Sequence, residues 1–534
     1  MQLEKPCHFV LFVFFLSLLS INLGTVSTTR AGEALVKWKN SLARSTLLDF
    51  WSLDNLTYLC NWTAITCNAA GSVTEINLSG KELAGTLAKF DFSSFPNLNS
   101  FTVEDNYFRG PIPPAIGDLT QLQYLNLSCD LLHESVFNNL HNLQSLNLLG
   151  CISDDIRLLH NLKFLSIKGN FFEGSFPPNI FKLSKLTDLD LSYNKFSGSI
   201  PSDIKMLLDL ESLYLDGNSF EGSFPPNILK LSKLRFLDLS SNNFSGSIPN
   251  DIKMLRNLIQ LWLHSNSFEG AIPSSISLLG ELRYLNLGHN HLNSSIPSDI
   301  GNLELQYLNL SSNQFTGPLP KIISNLTNLL VLGLNDNKFS GNIPSNFLKD
   351  TTFIDTIDFS NNNLSGNIPK EFSVHWNLEC INLSGNCFTG EIPATICNAT
   401  SLQILDLSNN GFSGALPHCL GNLADKMLSI DLGNIPLGLE LMGKLGELCI
   451  SFNNLTGNIL FDIGNLKLLE RLVLNSNQLT GVLPRTIYNL TNLKILCLKG
   501  NRFSGNIPRY IVFKIRKPWW FLRHIGGLKL MTTT

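Results

Sequence analysis

The residues best suited to metal or acid–base chemistry lie in two short stretches of this sequence, and neither completes a motif. "HESVF" begins at His133 like a zinc-protease box, but Phe137 stands where the second metal-binding histidine is required. Asp154 and Asp155 are adjacent, and nothing around them marks an acid–base pair. The sequence contains no Cys-x-x-Cys or His-x-x-x-His pairing. It therefore predicts a protein that is not an enzyme and that has no metal or cofactor.

A second group of residues suits recognition instead of catalysis. Aromatic side chains stand among acids and amides between positions 188 and 288, a composition typical of protein-binding hot spots. The candidate ligand-binding residues are Asp188, Tyr214, Asp216, Phe236, Asp238, Gln260, Trp262, His264 and Tyr284. Whether these side chains can face a ligand depends on the elements that carry them.

Those elements are the units of a repeat. "LTDLDLSYNKFSGSIPSDIKMLLD", residues 186–209, gives the pattern L-x-x-L-x-L-x-x-N-x-F/L-x-G-x-I/L/F-P, and similar units recur about every 24 residues. Two spacings near residues 130–170 are shorter than this. A degraded unit near Ile435 fills the gap between Asn410 and Asn453, which brings the count to nineteen coils.

The repeat dictates how the chain folds. Each L-x-L segment is a short strand with leucines pointing inward, and no coil can bury that face alone, so coils must stack and share one core. The recurrent asparagine is expected to turn inward and bond backbone groups that would otherwise be buried without partners. The predicted fold is an α/β solenoid, a right-handed superhelix of about nineteen coils with 24-residue repeats.

The residues between the leucines point away from the core because side chains alternate along a strand, and they line the concave face of the solenoid. Most residues between the second and third leucines are small and polar, which is typical of an unengaged surface; Tyr214 and Trp262 are exceptions. No sequon falls in this slot between Asp190 and Asn286. We therefore expect coils 188–288 to hold an extended peptide or partner loop. The alternative is that the aromatic rings merely cover neighbouring strands.

A cap precedes the regular coils. "EALVKWKNSL" predicts an amphipathic helix with Leu35, Trp38 and Leu42 on one side, able to cover the open end of the first coil. Cys60 and Cys67 flank "NWTAIT" and are predicted to close a small disulfide loop.

With this cap, the sequence resembles plant leucine-rich-repeat receptor-like kinases. The resemblance rests on the "EALVKWKNSL" helix, the Cys-x-Trp…Cys pair, "GSVTEINLSG" and the 24-residue coils with G-x-I-P, and it spans roughly residues 31–508. Within that family it is most similar to the male-discoverer-interacting receptor-like kinase group. One small departure is Ala64, where the family usually has glycine.

The resemblance implies an ectodomain that lies outside the cell and binds peptide or protein ligands and other leucine-rich-repeat receptors. It does not imply kinase activity, because no kinase glycine-rich loop, H-R-D loop or D-F-G stretch occurs in the sequence.

A second disulfide is predicted within the repeats. Cys397 and Cys419 occupy similar return-path positions on consecutive coils, which favours a bridge between coils, with two free thiols as the alternative.

The first thirty residues predict export. Lys5 gives a positive start, residues 9–21 are apolar, and small residues follow with a cleavage point near Ser27; an uncleaved anchor is the alternative. No later stretch approaches the length of a transmembrane helix. The chain is expected in the secretory pathway and at the cell surface or in the apoplast. Glycosylation is predicted at Asn55, Asn61, Asn77, Asn126, Asn243, Asn293, Asn309, Asn325, Asn363, Asn382, Asn398, Asn454 and Asn489.

The predicted organisation is a signal peptide at 1–27, a cap at 28–70, a solenoid at 71–508 and an atypical basic and aromatic tail at 509–534. The tail has three interpretations: the product of a truncated or mis-spliced gene, an improvised terminal cap, or a segment that adheres to anionic membranes. A net charge of −3 with 15% charged residues excludes a nucleic-acid binder.

Extracellular recognition by a receptor-type ectodomain is thus the predicted function. The alternative is a secreted inhibitor of wall-degrading enzymes, resembling polygalacturonase-inhibiting proteins, which have about half as many coils and a cysteine-paired terminal cap.

Overall fold

The computed structural model of the protein describes residues 29–128, 131–133, 140–148, 154–345, 347, 350–370, 377–422, 445–507 and 529–530. They fall into two compact units, divided between Asn243 and Phe244. The signal peptide, the degraded coil near Ile435 and most of the tail lie outside the described residues.

The first unit opens with the cap. A helix over residues 29–39 buries Leu35 and Trp38, and Trp38 Nε1 donates to the Thr86 carbonyl at 3.1 Å. The 3₁₀ helices Thr46–Leu48 and Leu53–Asn61 follow, and the strand Ile65–Cys67 pairs antiparallel with Val73–Asn77. Cys60 and Cys67 are joined by a disulfide. Leu35 and Trp38 are thus buried on the helix as predicted, whereas Leu42 lies beyond the end of the helix and is only half-buried.

The coils of the first unit share a parallel sheet in which consecutive strands pair in register. Asp188 lies opposite Ser212 and Ser212 opposite Phe236, so the pairing follows the 24-residue repeat. The strands are Val73–Asn77, Ser100–Thr102, Tyr124–Leu127, Ser145–Leu148, Phe164–Ser166, Asp188–Asp190, Ser212–Tyr214 and Phe236–Asp238.

The second unit has the same construction with ten parallel strands. They are Gln260–Trp262, Tyr284–Asn286, Tyr307–Asn309, Val331–Gly333, Thr356–Asp358, Cys380–Asn382, Ile404–Asp406, Glu447–Cys449, Arg471–Val473 and Ile495–Cys497. The described chain therefore has eight strands of this kind in the first unit and ten in the second.

Of the nineteen predicted coils, the described residues contain the parallel strands of eighteen. Ile404 lies directly opposite Glu447, and Asn453 Nδ2 bonds the Leu407 carbonyl at 3.0 Å, as between consecutive coils elsewhere. The strands on either side of the predicted degraded unit therefore pair directly, and the unit itself lies outside the described residues.

Short strands and 3₁₀ helices form the rest of each coil. Most of the other short strands lie in or beside the F-x-G part of the repeat and pair laterally: Ala84–Gly85, Tyr107–Pro111, Leu131–His133, Glu173–Gly174, Lys195–Gly198, Ser219–Ser223, Asn243–Gly246, Ser267–Gly270, His291–Leu292, Thr316–Gly317, Lys338–Asn342, Asn363–Gly366, Cys387–Glu391, Gly411–Ser413, Thr480–Val482 and Arg502–Ser504. Asn506–Ile507 pairs with Lys529–Leu530. The 3₁₀ helices are Phe92–Ser94, Pro114–Asp118, Asp154–Leu158, Pro178–Lys182, Ser202–Met206, Pro226–Lys230, Asn250–Met254, Ser274–Leu278, Ser298–Asn302, Lys321–Asn325, Ala394–Asn398, His418–Asn422, Phe461–Asn465 and Arg485–Asn489. Most begin beside the proline of G-x-I-P, whose fixed φ suits the start of a helical turn.

The recurrent asparagine links each coil to the one before it, as predicted. Asn194 is 7% exposed, and its Nδ2 donates to the carbonyls of Ile167, Leu191 and Ser192 at 2.9–3.1 Å. Its Oδ1 accepts the Phe172 amide at 3.1 Å. One side chain thus satisfies four backbone groups that the core would otherwise leave unpaired.

The core is the stacked set of inward side chains. In the coil of Asn194 every predicted inward residue is at most 9% exposed, and each contributes about 1.5–3 kcal/mol by leaving water. These residues are Leu186, Leu189, Leu191, Phe196, Ile200, Ile204 and Leu207.

Candidate recognition surface

The outward residues of the parallel strands carry the candidate binding residues. In the first unit, Tyr214 is in register with Asp190 on one side and Asp238 on the other. Each flanking strand has a second outward residue two positions earlier: Asp188 lies before Asp190, and Phe236 lies before Asp238. The alternation of the strands therefore presents an aromatic ring bordered by carboxylates.

Most polar residues at the ends of these strands form hydrogen bonds within the protein. Asp190 Oδ1 accepts hydrogen bonds from the Ser192 amide at 3.0 Å and from the Ser192 hydroxyl at 2.6 Å. The same bonds join Asp358 with Ser360 and Asp406 with Ser408. We call this contact the Asx–Ser pair. It ends the strand by satisfying an amide that the sheet leaves free.

The coils of Tyr214 and Trp262 are among those that lack the Asx–Ser pair, and they carry large aromatic residues at that position. Tyr214 is followed two residues later by Asp216 instead of serine, and Trp262 is followed by His264. The ionisable side chain at the second position is therefore not used to end the strand, which leaves it available to a ligand.

Asp216 has the most perturbed carboxyl on this surface. Burial, followed by repulsion from Asp238 and Asp190, raises its pKa to about 7, and Lys168 opposes this shift only weakly. The pKa of Tyr214 is raised by burial and then by Asp188, Asp190 and Asp238. Negative charge is thus crowded around the ring of Tyr214.

Sequence analysis missed two aromatic residues beside this group. Tyr193 is 57% exposed with a positive φ of 53°, and Lys168 Nζ lies 5.3 Å from the centre of its ring. A Cβ on Gly217 would lie 3.0 Å from Tyr193 Cδ1, so the glycine makes room for the ring. Phe164, 37% exposed, pairs with Asp188. The signal that could have revealed Tyr193 is its place in the repeat, directly before the recurrent asparagine, where the backbone is left-handed.

We refer to these residues of the first unit together as the first-unit surface. It consists of Phe164, Asp188, Asp190, Tyr193, Tyr214, Asp216, Phe236 and Asp238.

The remaining candidates lie in the second unit. Gln260 is opposite Tyr284, and Trp262 opposite Asn286. The rings of Trp262 and His264 meet edge to face with centroids 6.1 Å apart, and Trp262 Nε1 and His264 Nδ1 have no hydrogen-bond partner within the described part of the chain. Burial, followed by the neighbouring His289, lowers the pKa of His264. The Tyr284 hydroxyl donates to Gln306 Oε1 at 2.7 Å.

The sequons within the strands are themselves engaged. Asn126 Nδ2 donates to Glu104 Oε2 at 3.0 Å, and Asn382 Nδ2 to Asp358 Oδ2 at 3.3 Å. By contrast, the sequons Asn325 and Asn398 end 3₁₀ helices with exposed side chains.

The cysteines of the second unit divide into one bridge and several thiols. Cys397 and Cys419 are joined by a disulfide between consecutive coils. Free thiols in the described residues are Cys380, Cys387, Cys449 and Cys497.

The residues weighed for acid–base or metal chemistry lie partly outside the described ranges. His133 ends the strand Leu131–His133, and Phe137 lies outside the described residues. Asp154 Oδ1 accepts a hydrogen bond from Asn179 Nδ2 at 2.7 Å at the surface. Across the described ranges, no cluster of histidine, cysteine and carboxylate side chains could hold a metal ion. The helices in these ranges are too short or too polar to span a membrane.

Comparison with known proteins identifies the repeat. A family model described as Leucine Rich Repeat matches residues 161–183, 185–207, 209–231, 233–255, 281–303, 304–326, 354–374, 377–399, 401–423 and 468–490. The Arabidopsis receptor kinase HAESA, solved with the peptide hormone IDA and the co-receptor SERK1, is 30% identical with a TM-score of 0.71, covering 94% of this chain and 98% of that chain. The chain belongs to the leucine-rich repeat family.

Two receptor kinases of Arabidopsis thaliana are among the relatives of this leucine-rich repeat protein. Receptor protein-tyrosine kinase CEPR1 is 31% identical over 36% of this chain and 18% of its own length. MDIS1-interacting receptor like kinase 2 is 33% identical over 22% of this chain and 12% of its own length. The protein is thus homologous to plant leucine-rich-repeat receptor kinases, and it spans less than a fifth of the length of these relatives.

Proposed function

We propose that this protein is an extracellular recognition module that binds a peptide or protein ligand on the outward residues of its parallel strands. The observation that carries the proposal is the first-unit surface, where Tyr214 and Asp216 stand in place of an Asx–Ser pair, between the strands that carry Asp190 and Asp238. Aromatic residues among polar groups supply large contact area at low entropic cost. The homologous HAESA structure, which contains a peptide hormone and a co-receptor, supports this class of ligand.

The proposal includes location and covalent state. An apolar N-terminal stretch, sequons across the coils and two disulfides favour a glycosylated chain that enters the secretory pathway and acts outside the cell without enzymatic activity. Within the receptor kinases, the likeness to MDIS1-interacting receptor like kinase 2 supports the male-discoverer-interacting group. Other leucine-rich-repeat receptors are then the expected protein partners.

A binding experiment tests the proposal. The purified protein would be screened against a phage library of random peptides, and the enriched peptides would be measured against a Tyr214→Ala, Trp262→Ala double variant. Met206→Ala with Leu278→Ala is the matched control, since these residues are 48% and 62% exposed on 3₁₀ helices of the two units. We expect the aromatic variant alone to lose binding by at least about tenfold. Unchanged binding would refute the proposal.

The inhibitor alternative is tested separately. The homologues are receptor kinases, which favours recognition in signalling over inhibition of wall-degrading enzymes. Mixing the protein with fungal polygalacturonase should leave the activity of that enzyme unchanged.

A further inference from the structure

The carboxylates of the first-unit surface make no ion pairs, although lysine and arginine side chains are present on the adjoining coils. Within the described residues, no lysine or arginine lies within 4.0 Å of the carboxylates of Asp188, Asp190, Asp216 or Asp238. Four carboxyl side chains thus share one sheet face with no ion-pair partner, an arrangement that costs free energy through mutual repulsion when the groups are charged.

The cations of the adjoining coils are directed to other carboxylates. Lys233 Nζ is 2.7 Å from Asp209, Arg235 is 4.0 Å from Glu211, and Lys195 Nζ is 3.0 Å from Glu173. The unpaired state of the surface therefore does not arise from a shortage of nearby positive side chains.

The rim of the surface shows which group suits it. Lys168 Nζ lies 5.3 Å from the centre of the Tyr193 ring, so the protein itself holds an ammonium group over an aromatic face at this edge. Tyr214 presents a second ring between Asp190 and Asp238, and no cation–ring contact involves Tyr214 in the described part of the chain.

We infer that the first-unit surface binds a positively charged side chain, arginine or lysine, of an extended peptide, with the cation over Tyr214 and beside Asp188 and Asp216. This inference rests on the proposed peptide-recognition function and specifies the chemistry of its ligand. A guanidinium fits best, because it can stack on a ring and donate to two carboxylates at once.

Burial of Asp216 gives the contact a measurable signature. Its pKa is raised to about 7 by burial and by Asp238 and Asp190, so a bound cation would favour the charged carboxylate and expel a proton. Binding near neutral pH should therefore release a fraction of a proton, which calorimetry in buffers of different ionisation enthalpy detects.

The test uses pairs of synthetic peptides from the enriched set that differ at one position, with arginine or its neutral analogue citrulline. We expect the arginine peptide to bind about tenfold more tightly to the native protein and to lose that preference with Asp188→Asn and Asp216→Asn. Lys168→Ala removes the competing cation and should strengthen arginine binding. Asp203→Asn, on an exposed 3₁₀ helix of the same unit, is the control and should change nothing.

The outcomes separate the two proposals. Equal binding of arginine and citrulline peptides, combined with loss of binding on Tyr214→Ala, would overturn the charge inference and leave the proposed function standing. A preference for peptides with glutamate would also overturn it. Failure of the native protein to retain any peptide, or retention that ignores Tyr214→Ala, would overturn both.

Discussion

Replacing Asp216 with asparagine should stabilise the protein at alkaline pH and have little effect in acid. The fold raises the pKa of Asp216 from 3.8 to about 7, so the folded chain keeps a proton that the unfolded chain has already lost between these values. Stability from this group is therefore present below about pH 4, falls as the pH rises, and is fully lost above about pH 7. Asparagine has no such dependence.

The size of the effect follows from the shift. A change from 3.8 to about 7 corresponds to an upper limit of roughly 4 kcal/mol, at 1.36 kcal/mol for each pH unit. Asp216 is only half-buried, and the positive charge of Lys168 acts in the opposite direction, so solvent screening reduces the expected gain to about 1–2 kcal/mol. The groups that face it are Asp190, Asp238 and Tyr193, whose amide donates to the Asp216 carbonyl.

The assay is thermal unfolding of the native protein and the variant at about pH 4 and about pH 8. We expect the variant to melt a few degrees higher than the native protein at the alkaline pH and within error of it in acid. Asp203→Asn serves as the control and should track the native protein at both pH values. A variant that is no more stable at pH 8, or equally stabilised at both, would show that the carboxyl of Asp216 is not desolvated.

Further predictions concern the second unit. Asn290→Ala removes bonds to three carbonyls and the Phe268 amide and should cost about 2–4 kcal/mol in urea unfolding, whereas His291→Ala, at the exposed neighbouring position, should cost little. Leu285→Ala, fully buried, should cost about 3 kcal/mol by the same measurement. The exposed thiol of Cys387 should react with a maleimide near neutral pH well before Cys449, because burial, followed by Asp406, raises the pKa of the Cys449 thiol to about 11. Labelling in the reverse order in peptide mass spectrometry would contradict this.

Much of the fold follows from the sequence because one periodic pattern fixes both strand and register. Leu189 and Leu213 must face inward for any coil to bury its apolar side, and their pairing follows directly from the 24-residue spacing. The inward asparagine is equally predictable. Asn194 can bond the backbone of its own coil and of the preceding coil, and the repeat places an asparagine at the equivalent position of most other coils.

What the sequence leaves open has physical causes too. Counting repeats cannot tell which strands are neighbours across the degraded stretch between Asn410 and Asn453, whereas the structure pairs Ile404 with Glu447. Tyr193 was missed because its exposure depends on a left-handed backbone position that the leucine pattern does not report.

The inward asparagine also affects how the protein unfolds under mechanical force. Asn194 donates a hydrogen bond to the carbonyl of Ile167 and accepts one from the amide of Phe172. Each coil therefore stabilises the coil that precedes it. When the C-terminal end of a unit is pulled, the coils should consequently unfold one at a time. Each step exposes the asparagine hydrogen bonds of the next coil, which then break. Single-molecule extension traces would then show a regular sawtooth, with increments of about 85 Å for each 24-residue turn released.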